Sequence, residues 1–79
     1  MSQHMLVHDG KSYQYGYDGG LQQYYITRID EEDGYVALCG PLAETYGDKT
    51  GFYQVLEQEG LLDVVPTIHR YAVAVDLPF

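Results

Sequence analysis

Tryptophan is absent from this 79-residue chain, cysteine occurs once, phenylalanine twice, and only four residues are Lys or Arg. Each shortage excludes something. Cys39 has no second cysteine to pair with, so the chain is not a disulfide-stapled scaffold and a reducing cytoplasm is the expected compartment. Four cations stand against 12 Asp and Glu, a formal charge of −8. That balance argues against direct binding of nucleic acid or an anionic membrane, because both need Lys and Arg to displace counterions. Long apolar runs are missing too: the longest uncharged stretch, residues 34–43, has ten residues, about half of a membrane-spanning helix. The start MSQHMLVHDG has neither a basic segment nor an extended apolar one, so no secretion signal is expected.

Chemistry-bearing motifs are equally scarce. Serine occurs only at Ser2 and Ser12, neither in a nucleophile-elbow context. The glycine-containing segment 16–20 lacks the Lys and the helix of a phosphate loop. His4 and His8 share a strand face roughly 13 Å apart by strand rise, too far to hold one ion, and His69 stands alone in sequence. Cys39, in an apolar segment before Gly40-Pro41, reads as a buried, inert thiol. The run Asp30-Glu31-Glu32-Asp33-Gly34 lacks the alternation and the distal bidentate Glu of a calcium loop. No catalytic residue, metal site or cofactor is expected.

What is present is a globular composition, 46% hydrophobic and 20% charged, and residues 1–79 read as a single domain with a small core. Residues 4–8 and 12–17 flank Asp9-Gly10, a strong hairpin signal. A second turn follows at Asp18-Gly19-Gly20, then a strand over 21–29, an acidic loop over 30–34 and a strand over 35–39. Pro41 and Gly47 bracket a turn or short helix over 41–46. A longer helix over about 50–59 starts near Asp48 or Thr50 and stops at Gly60, with Phe52, Val55 and Leu56 on one stripe. Residues 61–65 run into Pro66, and the alternation of Tyr71, Val73 and Val75 predicts a final strand over 67–77. The expected fold is α+β: about five antiparallel strands with one or two short helices on one face.

Two features remain unabsorbed by the fold. Nine tyrosines are concentrated enough that Tyr13, Tyr15 and Tyr17 alternate along one strand and share a face. They form either an aromatic recognition face or the wall of a thin core whose hydroxyl tips stay wet. The second feature is the position of the charge. Residues 1–29 and 64–79 are each neutral, whereas 30–63 carry Asp30, Glu31, Glu32, Asp33, Glu44, Asp48, Glu57, Glu59 and Asp63 against Lys49, nine minus one giving the whole −8. Glu57 and Glu59 fall in the last turn of the predicted helix, where the dipole disfavours a carboxylate by about 0.3–1 kcal/mol. The block is therefore either a solubilising surface or a functional one. In an extended segment, carboxylates recur about every 3.3 Å, close to the 3.4 Å per charge of one DNA strand.

In size, absent chemistry and the acidic block 30–63, the chain resembles the small acidic DNA-mimic anti-CRISPR proteins of phages and mobile elements. No motif defines that group. The resemblance implies a non-enzymatic inhibitor, acting in the host cytoplasm without a cofactor, that binds a basic surface of a CRISPR effector complex and blocks its target DNA. The alternative is a small interaction module, such as an antitoxin, an immunity protein or an assembly subunit, using Tyr13, Tyr15 and Tyr17.

Overall fold

The computed structural model describes residues 3–79. Four strands, β1 (His4–His8), β2 (Lys11–Asp18), β3 (Gln23–Asp30) and β4 (Gly34–Cys39), form an antiparallel meander in the order β1-β2-β3-β4. The β1–β2 turn has Asp9 at φ 53° and Gly10 at φ 76°, the paired positive values that match strand twist. In the β2–β3 turn the Asp18 carboxylate accepts from the Gly20 and Leu21 amides at 3.0 and 3.3 Å, which draws Leu21 and Gln22 into the turn. Strand β3 therefore begins at Gln23, two residues later than the apolar pattern suggests.

Helix α1 (Lys49–Glu59) follows its sequence signals: Asp48 caps the Gly51 amide, and Gly60 ends the helix at φ 72°. Phe52, Val55 and Leu56 are buried, and the helix lies over β3 and β4. Each such side chain contributes about 1.5–3 kcal/mol on leaving water. Helix α2 (Thr67–Ala74) packs against α1 and brings His69 against Tyr15 of β2. With Tyr13, Tyr15, Tyr24, Ile26, Leu61, Val65 and Val73 these elements close one core on one face of the sheet.

One open alternative is resolved and one expected element differs. Residues 41–46 take the turn and not the short helix: Gly40 N donates to Thr45 O and Ala43 N to Gly40 O, both at 3.0 Å, closing a loop too short to offset helix nucleation. Gly47 pins that loop to β3 through Tyr24 N–Gly47 O at 2.7 Å, and a Cβ at this glycine would overlap the Tyr24 carbonyl oxygen. Residues 67–77 are a helix and a turn, not a fifth strand, so the sheet has four strands. Apolar residues occupy both of their alternating faces, which weakens the period-two signal, and Ala72 and Ala74 favour helix. Only Val73 of this helix is fully buried. No helix is long and apolar enough to cross a membrane among the described residues.

Candidate partner-binding surfaces

The acidic block divides between the two ends of α1, which are roughly 16 Å apart at 1.5 Å per residue. Glu44 and Asp48 lie at its start, where Asp48 is the N-cap. Asp30, Glu31, Glu32, Asp33, Glu57, Glu59 and Asp63 gather at the other end. Their meeting point is Arg28: its Nε lies 3.0 Å from Asp30 Oδ2 and its Nη1 3.2 Å from Glu59 Oε1. The Tyr13 hydroxyl donates to the same Glu59 oxygen at 2.9 Å. Burial and the Glu59 carboxylate push the Tyr13 phenol up to about 12, so the hydroxyl remains a donor throughout the neutral range. Glu59 thus offsets its unfavourable place at the helix C-terminus with a guanidinium and a phenol. Asp30 and Glu59, three-quarters or more buried as side chains, are structural members of the acidic end.

The rest of that end faces solvent. Glu31, Glu32 and Asp33 form the β3–β4 turn and are exposed, as are Glu57 and Asp63. None of these five carboxylates has an ion-pair partner within 4 Å among the described residues. A tight turn replaces the extended row that would space charges like a DNA strand: Glu31, Glu32 and Asp33 sit together on it. The sheet also brings residues from the neutral N-terminal third to this end. The β1–β2 turn carries Asp9, and Lys11 shares a shallow depression with Asp30, Glu31, Glu32 and Asp33. Asp9 could have been found from the meander itself, because alternate turns of a meander fall at the same end.

The tyrosine stripe faces the core. Tyr13 and Tyr15 are buried and Tyr17 is half-buried, its ring edge-on to Tyr24 at 5.0 Å between centroids. The Tyr15 hydroxyl pairs with His69 Nδ1 at 2.7 Å, and the Tyr24 hydroxyl donates to Leu77 O at 2.8 Å. These rings line an interior wall, so the aromatic recognition face composed of Tyr13, Tyr15 and Tyr17 is corrected. Nor is His69 alone, since its ring lies 4.3 Å from that of His4 and 4.8 Å from that of Phe79. Burial, then the His4 charge, holds His69 below the ordinary histidine range.

The opposite face of the sheet is where apolar side chains remain uncovered. Register places Met5 beside Gln14, Val7 beside Ser12, Ser12 beside Ile29 and Ile29 beside Tyr35. Met5, Val7 and Tyr35 are exposed, with Leu21 and Leu42 at the border. A groove of about 380 Å³ runs through this face and is lined by Gln14, Asp18, Leu21, Tyr25, Thr27 and Leu42, among others. The signal was present in sequence: β1, β3 and β4 carry apolar residues at both parities, which is one face more than the helices cover.

Among the described residues no group of three or more His, Cys, Asp or Glu could hold a metal ion. Cys39 is buried, and that burial pushes its thiol up to about 12, which suppresses the thiolate. The chain matches no protein-family model, no curated protein and no solved structure.

Proposed function

We propose that this chain is a non-enzymatic inhibitor that docks its acidic end onto a basic, nucleic-acid-binding surface of a protein partner. The observation that carries the reading is the group of exposed carboxylates Glu31, Glu32, Asp33, Glu57 and Asp63 toward the C-terminal end of α1, none with an ion-pair partner among the described residues. A cluster of this kind accelerates encounter with a cationic groove and makes affinity fall with salt. Asp30 and Glu59 hold the cluster in place through Arg28 and are not themselves free to bind. The anti-CRISPR resemblance makes a CRISPR effector complex the partner to try first, with target DNA as the competitor.

The test is target-DNA binding by purified effector complexes in a gel-shift assay across a salt series. The wild-type chain is expected to block binding at low salt and progressively less at high salt. Glu31→Lys, Glu32→Lys and Asp33→Lys combined, in a chain whose circular dichroism is unchanged, is expected to abolish the block. Undiminished inhibition by that triple variant would overturn the reading. A second reading, an interaction module acting through the open sheet face, is favoured by the exposure of Met5, Val7 and Tyr35.

A further inference from the structure

No helix or strand among the described residues packs on the open face of the sheet, and its central groove has an uneven chemistry. Leu21, Leu42, Ala37 and the Tyr25 ring give it mostly apolar walls, Gln14 and Thr27 give it amide and hydroxyl groups, and Asp18 gives it a carboxylate. Asp18 is the sole charged residue lining the groove among the described residues. One of its oxygens, Oδ1, is engaged by the Gly20 and Leu21 amides, which fixes the carboxylate at the groove while leaving Oδ2 outside those two bonds. The negative charge is felt by the Tyr25 phenol, which burial first and Asp18 second push upward. At about 380 Å³ the groove lies near the lower end of the range for ligand pockets, ~300–1,000 Å³, a size suited to one long side chain.

We propose that this groove receives an arginine side chain of a protein partner, its methylene stem along Leu21 and Leu42, its guanidinium plane against Tyr25 and an N–H donated to Asp18. The combination selects that chemistry. A neutral apolar side chain would desolvate the Asp18 charge and offer nothing to Oδ2, leaving only the two amide bonds to Oδ1. A lysine ammonium satisfies the charge but is compact and strongly hydrated, whereas guanidinium is planar, weakly hydrated and stacks on aromatic rings. A second copy of this chain does not supply the arginine. Arg28 is held by Asp30 and Glu59, and Arg70 by the Val65 carbonyl and the Thr67 hydroxyl. The −8 charge on each copy further opposes self-association.

The assignment deepens the proposed function and rests on its basic partner, but it adds a second contact on a different face from the acidic turn. The two are separable by experiment. The full-length, 15N-labelled chain is titrated with N-acetyl-arginine methylamide, and in parallel with the lysine, citrulline and norleucine analogues, following amide shifts by NMR. The expected result is saturable shifts at Asp18, Tyr25 and Thr27, with the arginine analogue binding about tenfold more tightly than the neutral ones and more tightly than lysine. Asp18→Asn preserves the turn, because an amide oxygen still accepts from Gly20 and Leu21, and is expected to remove the preference for arginine over citrulline. Tyr25→Leu is expected to remove the preference for arginine over lysine.

Equal binding of citrulline or norleucine would overturn the proposal, as would shifts confined to residues 31–33 or none at all. A wild-type pattern of preferences in Asp18→Asn would overturn it equally. Failure here with intact salt-sensitive inhibition would leave the acidic end standing, and the converse outcome would leave the groove standing.

Discussion

Along β2 and β3 the residues Tyr13, Tyr15, Tyr24 and Ile26 are at most 4% exposed, while their immediate neighbours Ser12, Gln14, Tyr25 and Thr27 point the other way and remain partly exposed. Both sets contain tyrosine and both contain β-branched or polar residues, so composition does not distinguish the faces. Two helices cover one and nothing among the described residues covers the other. The covered face uses tyrosine hydroxyls as interior fasteners to Glu59, His69 and Leu77. The open face leaves its apolar atoms and one carboxylate available. In a small domain the tyrosine count is thus a statement about a thin, hydrogen-bonded core, and the surface available for recognition has to be sought on the other side of the sheet.

The comparison is broken most severely at its centre. Phe52 is fully buried among the rings of Tyr15, Tyr24, Tyr53 and Phe79. Phe52→Ala is expected to cost about 3–5 kcal/mol in urea unfolding, enough to unfold much of so small a domain. Arg28→Met comes next, with an expected loss of about 2 kcal/mol, because it leaves Asp30 and Glu59 facing each other at partly buried positions. Tyr13→Phe is expected to cost about 1–2 kcal/mol through its lost hydrogen bond to a charged acceptor. The double variant should lose less than the sum if Glu59 couples the two, and strict additivity in a double-mutant cycle would show that it does not.

Acid tests the covered face in a different way. His69 is held below its ordinary value in the folded chain, so the unfolded chain binds more protons as pH falls through about 6.5. Its contribution is therefore present above that pH and is lost below it. The thermal midpoint should fall between pH 7.5 and 5, and His69→Gln should flatten that part of the profile. Tyr13 acts at the alkaline limit: its folded value of about 12 exceeds the unfolded one, so its share of stability is lost as pH rises from 10 to 12. The smallest effect belongs to the open face. Met5→Thr with Val7→Thr is expected to change stability by no more than about 0.5 kcal/mol, and a larger loss in urea unfolding would mean that this face supports the fold after all.

Much of the fold was legible in the chain. Asp9-Gly10 marked the first hairpin, and Asp48, Gly60 and the stripe Phe52, Val55 and Leu56 marked α1, because turns and caps are chosen by local backbone geometry. Residues 67–77 were not legible. Thr67, Ile68, Val73 and Val75 have strand propensity, yet Ala72 and Ala74 favour helix, and the segment packs as a helix against α1 instead of pairing with β1 or β4. The candidate site was legible in part. Its carboxylates could be counted, but the division into a held pair, Asp30 and Glu59, and a free cluster depends on Arg28, whose partners lie two and 31 residues away.

The sequence alone determined the net charge, the scarcity of reactive groups, the order of the first four strands and the capped helix, all of which follow from composition and contacts a few residues long. Tertiary structure decided which parity of the strands became core, which carboxylates were engaged, and that Asp18 should border an apolar groove. Those outcomes depend on where α1 and α2 come to rest. Alternation specifies two faces for every strand, and only packing across the sheet selects the one that leaves water.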